Sequence, residues 1–150
     1  MPDSTSEPTN PNDVSLPIAA VDATADRAAE QSIYQQLGAE KFWDIARAFY
    51  GRVDKHERMR PIFPADLQEP IRNQAEFLIQ YFGGPQTYSD RKGHPRLRMR
   101  HAPFPIDVTM RNDWVDCMRG ALLDAEIPAF IAAPMMAYFE RTATFMMNKP

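Results

Sequence analysis

The sequence predicts an all-α fold. Apolar residues recur at spacings of three and four along several stretches, which is the period of one face of an α-helix. No stretch alternates convincingly as a β-strand would, and six glycines are few for the many tight turns of an all-β fold. We therefore expect a bundle of about five helices, interrupted by one basic, proline-rich stretch.

Length and composition indicate one folded domain. At 150 residues with 44% apolar and 11% aromatic side chains, the chain can bury a real core. The single cysteine, Cys117, excludes an internal disulfide and any multi-cysteine zinc or iron–sulfur site. No stretch approaches the roughly 20 apolar residues of a membrane span, and no signal peptide is recognisable. A cytoplasmic protein without a membrane partner is the expectation.

The first 30 residues differ in composition from the rest. They hold six acids and one base, a net charge of −5, which leaves +2 for residues 31–150 of the total of −3. Four prolines lie among serine, threonine, aspartate and asparagine, with too little apolar surface to offset the entropy of ordering. We predict a disordered, acidic, proline-rich extension at 1–30 and a folded domain at 31–150.

Two helices are predicted at the start of the domain. Ser32 precedes a short helix that Gly38 can end, and a longer helix follows with a stripe formed by Phe42, Ile45, Ala46, Phe49, Tyr50 and Val53. Tyr50 therefore points inward, either as a core tyrosine bonded to a backbone carbonyl or as a hydroxyl that faces a buried polar ligand. His56, in the charged link that follows, is interpreted as a solvent-exposed histidine.

Gln74 interrupts the stripe of the next helix, whose other members are Leu67, Ile71, Leu78 and Tyr81. A buried amide without partners costs about 1–3 kcal/mol, so either a neighbouring group or a ligand must satisfy it. The segment Gly83-Gly84-Pro85 then ends the helix.

The basic stretch that follows allows several interpretations. Arg96, Arg98 and Arg100 form a solvated face, a nucleic-acid patch, or a set of cations for carboxylates or phosphates. Without interleaved aromatic residues, and with a negative net charge overall, a nucleic-acid partner is not expected. His101 directly precedes Ala102-Pro103-Phe104-Pro105, which stops any helix, so it is either a structural histidine or a metal ligand.

Two further helices complete the predicted bundle. The first runs from about Val108 to Asp124 with Asp107 as its N-cap, and its apolar face comprises Met110, Trp114, Cys117, Met118, Ala121 and Leu122. The second has a stripe formed by Ile131, Met135, Tyr138, Thr142 and Phe145. Pro134 either starts this last helix or kinks it.

The sequence does not match most known catalytic or metal-site motifs. The three histidines lack the spacing of a zinc-protease or di-iron site, and the cysteine lies mid-helix on an apolar face. What remains is one candidate imidazole ligand, nearby cations, apolar walls and inward polar groups. That inventory suits haem, which needs an axial histidine, apolar surfaces for the macrocycle and cations or hydroxyls for its propionates.

A family resemblance sharpens this interpretation. The run GGPQTYSDRKGHPRLRMRHAPFPI, followed by Trp114, closely resembles the bacterial group II (O-type) truncated, or 2-on-2, haemoglobins. The segments AFYGRV around Tyr50, IFPAD around Phe63 and the C-terminal YFERTATFMMNKP are similar to the same family. The resemblance covers residues 33–150 and implies a truncated globin fold, a 2-on-2 helical sandwich around haem b.

The resemblance also implies residue roles. His101 matches the proximal iron ligand, Trp114 donates its indole N–H into the distal pocket, and Tyr50 faces the bound ligand. Gln74 falls where some members place a ligand-contacting residue, and Pro70 lies near the usual distal position. Phe63 is expected on the haem face, and further cofactor-lining residues are Phe77, Leu78, Phe82, Leu97 and Met99. Candidates to meet the propionates are Tyr88, Lys92, His94 and Arg96.

The implied function is reversible binding of O2, CO or NO, with slow release through the Tyr50, Gln74 and Trp114 network, by a monomer or homodimer. The alternative is a redox enzyme that acts on the bound ligand, as a nitric oxide dioxygenase or in a peroxidase-like way. That activity needs an external electron donor such as a reductase, because the chain contains no reductase module. A third hypothesis is a haem-free interaction module that uses the basic stretch.

Overall fold

The computed structural model describes residues 31–150, so the predicted extension at 1–30 lies outside the described residues. The described part is all-helical and contains no strand, as predicted. Its helices are α1 (Ile33–Leu37), α2 (Ala39–Asp54), α3 (Gln68–Tyr81), α4 (Thr87–Lys92), α5 (Leu97–His101), α6 (Val108–Asp124) and α7 (Ala129–Met146), with a 3-10 turn at Arg60–Ile62. None of them is long and apolar enough to cross a membrane.

The four long helices form two packed pairs. Helix α2 packs against α3, α6 packs against α7, and α2 also packs against α6, which joins the pairs into a 2-on-2 arrangement. All six residues of the predicted α2 stripe are buried. Two of its aromatic residues extend the core through ring contacts, since Phe42 stacks on Phe82 and Phe49 tilts against Trp114.

Local signals in the sequence set several helix ends. Ser32 and Gln35 form a capping box at the start of α1, in which each side chain bonds the other residue's backbone N–H. Gly38, at a φ of 84°, separates α1 from α2. After α3, a Cβ on Gly84 would lie 2.7 Å from the Ile79 Cγ2, so the chain passes there only with glycine. The same Cβ would lie 2.8 Å from the Cδ1 of Tyr34, so α1 packs tightly against the end of α3.

The structure corrects three expectations. Helices α4 and α5 bring the number among residues 31–150 to seven rather than about five. Pro134 lies inside α7, which begins five residues earlier at Ala129, so it does not start that helix. His56 is not a freely solvated histidine, because its ring is mostly buried and its Nδ1 accepts a hydrogen bond from the backbone N–H of Met59.

Asp107 is the N-cap of α6, as predicted: its Oδ1 accepts a 2.9 Å hydrogen bond from the Met110 backbone N–H. Asp107→Ala should lower the free energy of unfolding by about 1 kcal/mol, because a first-turn N–H loses its acceptor. Urea denaturation measures this difference. The control is Asp116→Ala, in the same helix but with a side chain 75% exposed, which should change stability by less than about 0.5 kcal/mol. Equal losses in both variants would contradict the cap's role.

Candidate functional site

A cavity of about 380 Å³ lies among the long helices and α5. Its wall is mostly apolar, and its polar members come from different helices: Tyr50 from α2, Gln74 from α3, His101 from α5 and Trp114 from α6. The fold therefore brings together side chains that the sequence separates by up to 64 positions. An apolar cavity with a few convergent polar groups is the usual form of a ligand site.

His101 is the last residue of α5 and lines the cavity. Its Nδ1 lies 2.6 Å from the backbone oxygen of Leu97, one helical turn earlier. A carbonyl accepts only, so Nδ1 carries the proton and donates it, which leaves the Nε2 lone pair available. A hydrogen bond of this kind to a backbone carbonyl is the arrangement that fixes the tautomer and ring orientation of metal-ligating histidines.

Tyr50, Gln74 and Trp114, here called the polar triad, all line the same cavity. Tyr50 is buried between two rings, with centroids 4.9 Å from Phe49 and 5.4 Å from Phe63, both edge-on. Burial raises the pKa of the Tyr50 phenol, so the hydroxyl stays protonated and remains a hydrogen-bond donor.

Gln74 carries an unpaired polar atom. Its Oε1 is buried and has no hydrogen-bond partner among residues 31–150. An unmet buried acceptor costs about 1–3 kcal/mol, so the position favours a ligand or water that completes it. An amide presents either its oxygen or its NH2 group after a half-turn, so Gln74 is able to accept from or donate to such a ligand.

The other predicted cofactor residues divide into two groups. Those that line the cavity are Phe63, Phe77, Leu78, Tyr88, Lys92 and Leu97. Four do not line it: Phe82, His94, Arg96 and Met99. Phe82 packs in the core against Phe42 and Tyr138, and Met99 is 54% exposed on the outer side of α5. Pro70, the third residue of α3, also lies outside the cavity wall, while Asn73 and Gln74 form part of it.

Several residues that line the cavity were not predicted from the sequence. Arg111 lies one turn before Trp114 on the same face of α6, a spacing that could have indicated it. Its guanidinium donates to the Glu140 backbone oxygen and to the Thr144 Oγ1, both at 3.1 Å, and so ties α6 to α7. The apolar residues missed are Met59, Ile62, Pro64, Phe104, Ile106, Phe139, Ala143 and Met146, whereas Met110, Met118 and Tyr138 were predicted as inward-facing helix positions without a role at the site. The missed residues that lie in loops could not be found from helical periodicity, because loop residues follow no regular spacing.

A buried carboxylate anchors the loop that carries Phe63. Asp113, on α6, accepts two hydrogen bonds from the Arg58 guanidinium at 2.7 and 2.8 Å, and the His56 Nε2 lies 3.7 Å from its Oδ1. The Arg58 guanidinium lowers the pKa of Asp113 by hydrogen bonding to the carboxylate. Farther along the same loop, Arg60 donates to three backbone oxygens, including that of Phe63.

Comparison with known proteins is consistent with this geometry. The family model for the bacterial-like globin matches residues 32–148. A group 2 truncated haemoglobin of Bacillus subtilis is 40% identical over 116 residues, which is 77% of this chain and 88% of that protein.

Solved structures are similar over the same region. The haemoglobin of the thermophilic phototroph Chloroflexus aurantiacus is 49% identical, with a TM-score of 0.77 over 80% of this chain and 100% of that one. A truncated oxygen-avid haemoglobin from Bacillus subtilis is 39% identical, with a TM-score of 0.76 over 79% and 100% of the two chains.

Asp113→Asn should lower the free energy of unfolding at pH 7 by about 1–3 kcal/mol, since charge-assisted hydrogen bonds to Arg58 are weakened. Because the folded-state pKa of Asp113 lies below its unfolded value, the carboxylate's contribution is complete above about pH 4 and is lost as pH falls through the folded-state pKa. The stabilities of the wild type and Asp113→Asn should therefore converge as pH falls. Urea unfolding of both proteins across this pH range measures that difference.

The matched control is Asp124→Asn, on the same helix. Asp124 makes the same two-bond contact with Arg52, but both side chains are nearly half exposed, so the change should be smaller. An Asp113→Asn difference that persisted unchanged to pH 2 would rule out the carboxylate as its source.

Proposed function

Because the chain belongs to the bacterial-like globin family and to the group II truncated haemoglobins within it, we propose that it binds haem b through His101 and reversibly takes up O2, CO or NO beside the polar triad. When bound, haem supplies an iron that coordinates diatomic ligands. A cytoplasmic location stays a prediction of the sequence.

The observation that carries the proposal is the state of His101. Its Nδ1–H is held by the Leu97 carbonyl, so the nitrogen left free belongs to a ring that lines the apolar cavity. The residues present therefore fit a haem. They supply an imidazole whose Nε2 is free to bind iron, apolar walls for the macrocycle, and two polar side chains in the cavity wall, Lys92 and Tyr88, for the propionates.

The polar triad supports slow release of the diatomic ligand. Trp114 and Tyr50 offer donors, the indole N–H and the phenolic O–H, and Gln74 offers an amide whose oxygen lacks a partner. A ligand held in an apolar cavity gains more from such hydrogen bonds than it would in water, because competing solvent is absent. The description of a Bacillus subtilis relative as oxygen-avid agrees with this expectation.

His101→Ala should remove the side chain proposed to bind the haem iron. We expect the wild-type protein, purified with haem, to show a Soret band that shifts on reduction and again with carbon monoxide. The variant should lose haem or show an altered ferrous spectrum that exogenous imidazole restores. His56→Ala is the control, because that imidazole does not line the cavity. A wild-type spectrum in His101→Ala, or no Soret band in the reconstituted wild type, would refute the proposal.

Tyr50→Phe and Trp114→Phe should each speed oxygen release by about five- to tenfold, since each removes one hydrogen bond worth on the order of 1–1.5 kcal/mol. Stopped-flow displacement of O2 by carbon monoxide measures the rates. Matched controls are Tyr34→Phe and Trp43→Phe, whose rings lie outside the cavity wall. Unchanged rates in both cavity variants would exclude the polar triad as the source of slow release.

A further inference from the structure

Helix α5, which carries His101, has little apolar packing to hold it in place. It has five residues, and none of them is buried. A helix of this length is not stable alone, because the few hydrogen bonds formed do not repay the cost of nucleation. Contacts with the neighbouring backbone must therefore hold it in place.

Two arginines of α5 supply part of that anchoring. Arg100 donates to three backbone oxygens of the preceding loop, residues 92–95, at 2.6 to 3.2 Å. Arg98 reaches in the other direction: it donates to the Phe145 backbone oxygen at the end of α7, and its guanidinium lies 5.3 Å from the centroid of the Phe145 ring.

The C-terminal strap, residues 145–149, holds the loop on the other side of His101. The Asn148 side chain bridges two points of that loop, because its Nδ2 donates to the Phe104 backbone oxygen at 2.9 Å and its Oδ1 accepts from the Ile106 N–H at 2.8 Å. The backbone N–H groups of Asn148 and Lys149 also donate to the Ile106 oxygen, at 3.0 and 3.2 Å.

A short chain of hydrogen bonds links this bridge to the histidine itself. The Phe104 backbone N–H donates to the His101 backbone oxygen at 3.0 Å, and the Phe104 carbonyl is the group that Asn148 holds. Residues 102–105 are exposed and Ile106 is the only buried residue between Ala102 and Asp107, so core packing supplies little of the connection. The loop's position relative to α5 therefore depends mainly on these polar contacts and on burial of the Ile106 side chain.

We propose that the C-terminal strap positions the His101 imidazole, with Asn148 as its principal positioning residue. The inference rests on the proposed role of His101 as the iron ligand. Asn148 does not line the cavity and acts only through Phe104 and the loop. Loosening the strap should therefore change how firmly and at what angle His101 engages haem, while the polar triad stays in place.

The test uses the full-length, haem-loaded protein with Asn148→Ala and Asn148→Asp. Three quantities are measured: the rate of haem transfer to apomyoglobin, the iron–histidine stretching frequency of the ferrous protein, and hydrogen exchange of the Ile106 amide in the carbon monoxide-saturated protein. Lys149→Ala is the matched control, because its contact with Ile106 is made by the backbone and survives the substitution. His101→Ala is measured in parallel.

For Asn148→Ala we expect faster Ile106 exchange, haem transfer faster by about three- to tenfold, and a shifted iron–histidine frequency. Asn148→Asp keeps the acceptor for the Ile106 N–H but loses the donor to Phe104. It should therefore leave Ile106 protected and still speed haem transfer. Lys149→Ala should match the wild type in all three measurements.

Two results would overturn the inference. One is an Asn148→Ala protein with faster Ile106 exchange but unchanged haem transfer and iron–histidine frequency, which would make the strap purely structural. The other is Asn148→Asp with wild-type haem transfer. If either result occurs and His101→Ala still alters the spectrum, only the role of the strap is refuted. If His101→Ala retains the wild-type spectrum, the proposed iron-binding role of His101 is refuted as well.

Discussion

Arginine side chains hold the irregular backbone around the cavity, and the shape of the cavity depends on them. Arg60 and Arg100 each bind three backbone oxygens of a neighbouring loop, and Arg58 binds both oxygens of the buried Asp113. A planar guanidinium offers five donors, so one side chain satisfies several carbonyls that no helix or sheet pairs. Loops that would otherwise be mobile thereby keep fixed positions beside an apolar space.

The long helices were predictable from the sequence, because their burial follows a regular period. All six inward positions of α2 and both ends of α6 match the pattern. The short helices were harder to predict, because five or six residues are too few for the helical period to define a buried face. In addition, Arg96 adopts a left-handed conformation at the start of α5, which changes the chain direction there. Met99, which the family resemblance places against the cofactor, faces outward instead.

Contacts between distant residues account for the other differences. His56 was interpreted as solvated because its sequence neighbours are charged, yet its partners are Asp113 on α6 and a backbone N–H. Asp113 precedes Trp114 in the sequence and interrupts the apolar pattern of α6. Its burial becomes understandable only from the structure, where the Arg58 guanidinium donates to both of its carboxylate oxygens. A one-dimensional pattern gives burial but not the partner that makes burial of a charge acceptable.

The absence of any buried residue in α5 has a consequence for how the fold opens. Local unfolding follows the regions with few apolar contacts, and the segment from about residue 93 to 107 is such a region within a scaffold of four long helices. Only Ile106 of this segment is buried, so we expect it to open locally at a lower free-energy cost than the scaffold. We therefore expect a planar cofactor held beside α5 to exchange through opening of this segment alone, without global unfolding.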